Sequence, residues 1–344
     1  MNSRLLTDKI KAEATRLGFF ACGIAKAGPV NDKMAQQLRA WLESGGYAGM
    51  EYMANHTDKR LDPRLLMPGL KSIVCVALNY APRQNPDEHE YQLAAYALGK
   101  DYHDIVKAKL RQLANSIGAV DCLHEQTEND SQTTDNKLIR CRVFVDSGPV
   151  LERYWAEQAG LGWIGKNHQL IIPFAGSMFF LGELFLSVEL EYDSPTPNRC
   201  GNCHKCIDAC PTGAIQDFPS TFDTERCLSY QLIENRGALS KEARQAMDNT
   251  IYGCDRCQKA CPWNRFATPN TTPELQPSTE LLAMKRANWQ QLTEEQYRKL
   301  FKGSAVKRAK YAGLKRNIDA AAQAEAAREQ VIDKPDTAQT ADKQ

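Results

Sequence analysis

Eight of the twelve cysteines in this chain fall into two groups whose spacing suits iron–sulfur chemistry. The first group occupies one short segment: Cys200, Cys203, Cys206 and Cys210. The second group is Cys254, Cys257 and Cys261, with Cys227 upstream. A proline follows the last cysteine of each run, which completes the C-x2-C-x2-C-x3-C-P pattern in the first group.

This pattern predicts which cysteines share a cluster. Three thiolates of one run bind one cubane, and the cysteine before the proline ligates the other cluster. One [4Fe–4S] cluster is therefore assigned to Cys200, Cys203, Cys206 and Cys261. The other is assigned to Cys210, Cys227, Cys254 and Cys257, where Cys227 replaces the missing first member of the second run. Zinc or disulfides are the alternatives, although the prolines and the spacing favour clusters.

Composition places the chain among ordinary globular proteins. It has 344 residues, 42% hydrophobic and 25% charged, with a net charge of +1, which allows about two domains and gives no overall field for nucleic acid. The N-terminus lacks the apolar stretch of a signal peptide. Residues 178–190 are too short for a membrane span and include Glu183, so they predict buried strands. We expect a cytoplasmic protein without membrane contact, whose reduced thiols serve metals.

Hydrophobic periodicity predicts the elements that position these groups. Residues 1–190 alternate between segments with the hydrophobic period of a helix and segments with that of a strand, which indicates a mixed α/β unit. Helices are expected at 5–17, 33–43, 104–117 and 151–159, and strands at 19–24, 72–78 and 141–145. Prolines mark a boundary near 195 and a linker at 266–282, followed by helical sequence from 288 to 320. The polar stretch 125–137 is predicted to be a loop.

Asp146 is a candidate acid at the end of a predicted strand. It follows the apolar residues 141–145 and precedes a Gly-Pro turn, and strand ends carry site residues in α/β folds. Burial beside a bulky cofactor would raise the pKa of this carboxyl and make it a proton donor near neutral pH. The alternative is an N-cap for a helix starting near Pro149. Spacing alone does not separate these readings.

A G-x-G-x-x-G match at Gly160, Gly162 and Gly165 is not interpreted as a dinucleotide site. Such a fingerprint follows a strand and opens a helix, whereas this one follows a predicted helix. These glycines are expected to end that helix and turn the chain.

A basic segment occupies residues 298–316. It contains eight lysines and arginines and no acidic residue, and aromatic residues are interleaved with the basic ones. Such a patch suits a phosphate backbone even when the net charge is near zero. The alternative is a solvated helix face.

Several stretches outside the cysteine runs carry a family resemblance: residues 58–60, 66–73, 99–103, 145–149 and 159–167. Together with the cysteine module, they make the chain resemble the epoxyqueuosine reductases, cobalamin-dependent iron–sulfur enzymes of tRNA queuosine synthesis. The resemblance runs from the N-terminus to about residue 317. Many members carry a longer helical-repeat C-terminus, of which this chain keeps the beginning.

The resemblance implies an α+β fold in four parts. A nitroreductase-like, reductive-dehalogenase-like cobalamin domain is expected over residues 1–194. A ferredoxin-like module with two [4Fe–4S] clusters follows over 195–268. A helical tRNA-contacting segment is expected over 269–320, and a disordered tail over 321–344.

The resemblance also implies the reaction. Epoxyqueuosine at the wobble position of the tRNA anticodon is reduced to queuosine, and its epoxide oxygen leaves as water. Electrons pass from a low-potential donor through the two clusters to base-off cob(II)alamin. The sequence Asp101-Tyr102-His103 begins like a histidine-on cobalamin motif but lacks the glycine at position 106, which fits the base-off form. The family suggests a monomer.

Individual residues take roles from the same resemblance. Asp146 matches the family's proton donor and a cofactor contact. Further cobalamin contacts are expected at Arg60, Leu170, Leu181, Leu228 and Asp255. Contacts with tRNA are expected at Arg236, Lys307, Arg308, Lys310, Lys315 and Arg316.

Three other functions share part of these features. A reductive dehalogenase-like enzyme also uses cobalamin and two clusters, but it has no use for the basic segment. A plain two-cluster electron-transfer protein would leave the upstream α/β unit unexplained. An iron–sulfur nucleic-acid-binding module without catalysis would need no cobalt.

Overall fold

The structure is a computed structural model that describes residues 2–122, 138–216 and 222–332. Its strands within those ranges are β1 (Ala21–Lys26), β2 (Ser72–Asn79), β3 (Gln92–Leu93), β4 (Val120–Asp121), β5 (Arg140–Phe144), β6 (Trp163–Ile164), β7 (Leu170–Ile171), β8 (Phe179–Leu186) and β9 (Thr250–Tyr252). Its helices are α1 (Ser3–Arg16), α2 (Asp32–Glu43), α3 (Thr57–Leu61), α4 (Tyr102–Ser116), α5 (Glu152–Gln158), α6 (Lys205–Asp208), α7 (Leu228–Ile233), α8 (Lys241–Ala246), α9 (Arg256–Lys259), α10 (Thr279–Leu282), α11 (Arg286–Gln290), α12 (Glu294–Leu300) and α13 (Lys310–Ile332).

A five-stranded sheet in the order β1-β2-β8-β5-β4 forms the centre of the N-terminal half. Neighbouring strands are antiparallel except β4 and β5, which are parallel. The two inner strands β2 and β8 are almost entirely buried because apolar residues fill both of their faces. The predicted mixed α/β unit and its strands are confirmed, and the apolar run at 178–190 provides β8.

Helices cover both faces of this sheet. Alternate residues of β2 point in opposite directions, so Val74 and Val76 pack with α1 and α4, while Ile73 and Cys75 pack with α5. Gly18 ends α1 with a φ of +85°, a conformation that glycine adopts without strain. The sheet is therefore the rigid layer on which the loops at the strand ends are carried.

The cysteine module and the C-terminal helices share a second core. Apolar side chains of α7 and α8 pack with those of α11, α12 and α13. Asn317 of α13 is fully buried, and its Nδ2 donates to the carbonyls of Leu232 (2.8 Å) and Ile251 (2.9 Å). Pairing of β3 with β9 joins this core to the N-terminal half.

Two predicted irregular segments differ in the structure. The proline-rich stretch 266–282 is packed rather than loose, because Leu275 is buried in the core of the sheet and Leu281 in the second core. The predicted disordered tail starts at 321, yet α13 continues to Ile332, since its alanine-rich sequence favours helix. Residues 333–344 and the predicted loop at 125–137 lie outside the described residues. Within the described ranges, no helix is long and apolar enough to cross a membrane.

Candidate active site and cluster module

Asp146 lies two residues beyond the end of β5, in a tight turn. Its φ is +52°, an uncommon conformation for a residue other than glycine, and the N–H of Ser147 donates to the carbonyl of Val145 at 2.6 Å. Helix α5 begins at Glu152, with Leu151 as its N-cap. The helix-cap reading of Asp146 is therefore wrong, and its carboxyl group is available for other contacts.

Two side chains from the start of α4 hold the Asp146 carboxylate. The Tyr102 hydroxyl donates to Asp146 Oδ2 at 2.5 Å, and His103 Nε2 lies 3.6 Å from the same oxygen. The other ring nitrogen of His103 lies 2.7 Å from Asp101 Oδ1. Tyr102 stacks on Phe180 of β8, with ring centroids 4.1 Å apart. These contacts fix the carboxylate at the edge of the sheet.

The pKa shifts at this site favour an ionised Asp146 and a protonated His103. The surrounding protein partly desolvates the Asp146 carboxyl, which acts to raise its pKa, but the ion pair with His103 and the hydrogen bond from Tyr102 outweigh this effect and lower that pKa. The hydrogen bond to Asp101 and the ion pair with Asp146 raise the pKa of His103 to about 9. In the protein alone, the carboxylate is therefore ionised near neutral pH and the neighbouring imidazolium carries the proton, and the raised pKa expected for Asp146 beside a bulky cofactor stays a prediction.

A pair of acids lies behind the Asp146 turn. The backbone N–H of Asp146 donates to Glu152 Oε1 at the start of α5. Glu152 in turn contacts Glu183, which is fully buried in the middle of β8. Burial and the nearby Asp146 carboxylate raise the pKa of Glu152 to about 8. Neither glutamate was assigned a role from sequence, although an acid within the apolar run of β8 was a visible signal.

Two residues predicted to contact the cofactor, Arg60 and Asp255, form hydrogen bonds with backbone groups of the protein. Arg60 is buried and donates to the carbonyls of Tyr52 and Asn55, both at 3.3 Å. Asp255 is buried beside Cys254, and its Oδ2 accepts the Ala95 N–H at 2.7 Å. Each residue therefore shapes a loop.

The three predicted leucine contacts lie on separate elements. Leu170 is buried in β7, and Leu228 is buried at the start of α7, directly after Cys227. Leu181 is partly exposed on β8, two residues before Glu183. Gly160 and Gly162 position β6 and β7: Gly160 has a φ of +76° after α5, and a Cβ on Gly162 would lie 2.1 Å from the Ile171 carbonyl. The helix-ending reading of these glycines is confirmed.

Arg153 links Asp146 to a second polar side chain, His168. Arg153 interacts electrostatically with Asp146 and donates to the carbonyl of His168. Burial and Arg153 lower the pKa of His168 to about 4, so its ring is neutral, and its buried Nε2 has no hydrogen-bond partner among the described residues. Since buried polar atoms are normally paired, this nitrogen fits a ligand group.

The assignment of the eight module cysteines to two clusters stays a prediction, and part of it has a geometric counterpart, since Cys200, Cys203, Cys206 and Cys261 line one small cavity. The Cys206 thiol interacts with Cys200, Cys203 and Cys261, which combines the first run with the last cysteine of the second. The Cys257 thiol interacts with Cys254, Cys227 and Cys210 of the second predicted set, and also with Cys206 of the first. None of the twelve cysteines forms a disulfide.

Two N–H groups point at cluster cysteines. The Trp163 indole N–H donates to Cys200 Sγ at 3.4 Å, and the Ala214 amide donates to Cys210 Sγ at 3.2 Å. Hydrogen bonds to cluster sulfurs tune reduction potential. Trp163 lies in β6, outside the module, so spacing within the cysteine runs gave no sign of this contact.

The arginines of the predicted tRNA surface are largely engaged with the protein. Arg316 donates to the carbonyls of Gln231, Asn235 and Gly237 at the end of α7, and Arg308 forms a bidentate pair with Glu234. Arg236 donates to the Arg308 carbonyl at 3.0 Å.

The lysines of that surface divide into two kinds. Lys315 bonds to the Gln290 carbonyl and to Asp319. Lys307 and Lys310 are exposed and line a cavity of about 320 Å³ with Arg298, Tyr297 and Tyr311.

Comparison with known proteins decides the family. Residues 60–147 match the model described as epoxyqueuosine reductase QueG, DUF1730, and residues 199–264 match a 4Fe-4S double cluster binding domain. An epoxyqueuosine reductase of Cellulophaga algicola is 44% identical over 313 residues, covering 91% of this chain and 97% of that protein. The chain belongs to the epoxyqueuosine reductase family.

Solved structures agree with this assignment. An epoxyqueuosine reductase crystallised with an epoxyqueuosine-modified tRNA-Tyr stem loop superposes with a TM-score of 0.78 at 29% identity, covering 92% of this chain and 80% of that one. The Bacillus subtilis epoxyqueuosine reductase, solved with its catalytic aspartate loop swung out of the active site, gives 0.78 at 27% identity, covering 96% and 86%. This member of the family is therefore an oxidoreductase with a double [4Fe–4S] module, so the zinc and non-catalytic readings are wrong.

Proposed function

We propose that this reductase converts epoxyqueuosine to queuosine at the wobble position of tRNA. The observation that carries the proposal is the Asp146 carboxylate, whose side chain is 58% exposed at the edge of the sheet and is held by Tyr102 and His103. A relative solved with the modified tRNA stem loop supports the substrate. Kinship at 44% identity supports the reaction type.

The reaction sets the chemical requirements of the site. Both carbon–oxygen bonds of the epoxide break, a carbon–carbon double bond forms, and the oxygen leaves as water. This takes two electrons and two protons per substrate. A two-cluster module supplies electrons singly, and a carboxylate with a protonated neighbour supplies protons.

We assign the cofactor site to the space beside Asp146. Cobalamin, bound base-off, would supply a low-potential cobalt there. Leu170, Leu181 and Leu228 would provide apolar contacts, while Arg153 and His168 Nε2 offer polar groups to its amide side chains. Arg60 and Asp255 act through the backbone segments that they hold.

The proton reaches the substrate through two residues of this chain. His103 is protonated at neutral pH and lies 3.6 Å from Asp146 Oδ2. Transfer from the imidazolium makes Asp146 a carboxylic acid, which then protonates the opening epoxide oxygen. A bound substrate excludes water and raises the carboxyl pKa, which favours this transfer. Tyr102 keeps the carboxylate oriented.

The arrangement of the cysteines gives the electron path a direction. Leu228 and Asp255 adjoin Cys227 and Cys254, so the cluster of Cys210, Cys227, Cys254 and Cys257 adjoins the proposed cofactor site. The other cluster accepts electrons from a low-potential donor.

Lys307 and Lys310 contact tRNA phosphates outside the wobble nucleotide.

The test is a tRNA assay on protein reconstituted anaerobically with iron, sulfide and cobalamin. Substrate tRNA carrying epoxyqueuosine is incubated with a strong reductant, and its nucleosides are separated by mass spectrometry. We expect queuosine from wild type, and a rate about 10²–10⁴-fold lower from Asp146→Asn, the usual effect of removing a general acid. Asp104→Asn, an exposed acid on α4, is the matched control and keeps full activity.

Cofactor content separates chemistry from folding. Asp146→Asn should retain about eight irons, as two cubanes require, and bind cobalamin like wild type. Full turnover by Asp146→Asn would remove this residue from the mechanism, and absence of queuosine with wild type loaded with both cofactors would overturn the proposed function.

A further inference from the structure

Glu183 is a buried acid without a cation. It is 0% exposed in the middle of β8, opposite Cys75 and Phe144, and neither carboxylate oxygen has a hydrogen-bond donor among the described residues. An isolated carboxylate at such a position costs several kcal/mol. A buried acid in this situation normally stays protonated, and it then needs an acceptor for its own proton.

Glu152 is that acceptor. It contacts Glu183 from the start of α5, and two ionised carboxylates cannot hydrogen-bond to each other because neither has a proton to donate. Burial raises the pKa of Glu152 to about 8, and burial together with Glu152 raises the pKa of Glu183 as well. The pair therefore holds at least one proton at neutral pH.

The remaining acceptor capacity of Glu152 is used by the Asp146 turn. Its Oε1 accepts the backbone N–H of Asp146, the residue whose φ is +52°. A non-glycine residue in this region of φ is kept there by its surroundings. On the other side of the turn, Lys107 Nζ donates to Ser147 Oγ at 2.9 Å.

We propose that Glu183 and Glu152 form a proton-dependent latch that positions the Asp146 turn. Protonated Glu183 donates to Glu152, and Glu152 accepts the N–H of Asp146. Both glutamates are positioning residues, since neither is placed against substrate or cofactor. The proposal rests on the catalytic role proposed for Asp146.

Loss of the shared proton would release the turn. Glu152 ionises first, near pH 8, and its charge raises the pKa of Glu183 further, so the shared proton is lost only at higher pH. Two adjacent carboxylates then repel each other, and Glu152 moves away from Glu183 and gives up its contact with Asp146. In the Bacillus subtilis relative the catalytic aspartate loop is swung out of the active site, which is the kind of displacement such a latch would control.

Other groups around the pair set its titration. Arg153 on α5 favours the ionised form of Glu152, and Asp146 opposes it. Cys75 on β2 is uncharged because burial holds its pKa far above the usual value. From α4, His103 and Lys107 face Asp146 and Ser147, so they act on the turn and not directly on the glutamates.

The first measurement tests whether Glu183 carries a proton at neutral pH. Infrared spectra of the full, cluster-loaded chain should show the carbonyl stretch of a protonated carboxylic acid at neutral pH. This band should be absent from Glu183→Gln and present in Glu189→Gln, whose parent residue is exposed just after the same strand. A wild-type spectrum at neutral pH without such a band would refute the proposal.

The second measurement follows the turn itself by hydrogen exchange of peptides covering residues 144–150, corrected for the intrinsic effect of pH. Wild-type protection should hold through pH 8 and fall about tenfold over roughly two pH units at higher pH, where Glu183 loses its proton in a single titration. In Glu183→Gln the amide donates to Glu152 at every pH, so protection should stay constant. Identical pH dependence in wild type and Glu183→Gln would assign the effect to His103 and overturn the latch.

A second variant, Glu152→Gln, keeps the proposal testable if Glu183→Gln does not fold. Glu152→Gln keeps an oxygen for the Asp146 N–H and gains an amide that donates to Glu183, so its protection should also be independent of pH. The outcome is separable from the proposed function. If the exchange behaves as expected while Asp146→Asn keeps full turnover, the catalytic role fails and the latch stands. If Asp146→Asn is inactive and Glu183→Gln behaves like wild type, only the latch fails.

Discussion

At the residue scale, the proposed chemistry depends on which group carries the proton. The sequence predicts that burial beside a bulky cofactor raises the pKa of Asp146. In the structure, His103 and Tyr102 lower the pKa of Asp146, and the proton lies on His103, whose pKa is about 9. A relay of this kind recharges after each transfer, because the imidazolium can take up a proton from solvent at neutral pH.

His103→Gln tests this relay. Without the imidazolium Asp146 must hold the proton itself, so the alkaline limb of the turnover profile, expected near the His103 pKa of about 9 in wild type, should move to lower pH, and the rate at neutral pH should fall at least about tenfold. The pH profile of single-turnover rates measures both effects. An unchanged profile would exclude His103 as the proton source.

The same variant should change how stability depends on pH. The folded pKa of His103 lies above its usual value of 6.5, so the stabilisation from its contacts is complete below that value and is lost as pH rises through about 9. Thermal unfolding of wild type and His103→Gln over this range should show the difference narrowing with pH. A difference that stays constant would mean that the charge on His103 contributes nothing to stability.

The position of Asp146 could be predicted from sequence, but its charge state could not. An apolar strand followed by Asp-Ser-Gly-Pro marks a strand end, and the structure has β5 ending there. The partners that set the pKa come from α4, 44 residues away for Tyr102. Glu183 illustrates the opposite case, since its burial followed from the apolar run around it while its contact with Glu152 depended on how α5 packs.

At the element scale, the short hairpin of β6 and β7 joins the two halves of the site. It carries Trp163, which donates to Cys200, and Leu170, a proposed cofactor contact. The hairpin needs glycine at position 162, where a Cβ would lie 2.1 Å from the Ile171 carbonyl.

Gly162→Ala should therefore destabilise the protein by about 1–3 kcal/mol, the usual cost of overpacking. Gly28→Ala is the matched control, because a Cβ at position 28 meets no atom within 4 Å, and it should change stability by less than about 0.5 kcal/mol. Denaturant unfolding of both variants gives the comparison. Equal stability of the two would show that β6 and β7 separate easily.

Elements with a strong hydrophobic period were predictable, and proline-rich ones were not. The helix expected at 104–117 and the strand at 72–78 agree with α4 and β2 to within two residues. Residues 266–282 appeared to be a linker because prolines dominate them locally. Burial of Leu275 depends on the sheet and burial of Leu281 on the second core, which local sequence does not reveal.

At the scale of the whole molecule, the C-terminal helices belong to the cysteine module. The basic segment was expected to face tRNA throughout, yet Arg316 holds carbonyls at the end of α7 and Arg308 pairs with Glu234. Counting charges in a sequence gives their number but not their partners. The exposed Lys307 and Lys310 are the residues of this surface best placed for a phosphate backbone.

The double variant Lys307→Ala, Lys310→Ala tests that interface. Removal of one phosphate-binding lysine should reduce the slope of log affinity against log salt by about 0.7–0.9, so the double variant should bind tRNA more weakly and with a slope shallower by about one to two. Titration of labelled tRNA at several salt concentrations measures the slope. Lys9→Ala, an exposed lysine on α1, serves as control and should leave it unchanged. Since the variant retains the Asp146 site, turnover at saturating tRNA should equal that of wild type. A wild-type salt slope in the double variant would place the tRNA on another face of the molecule.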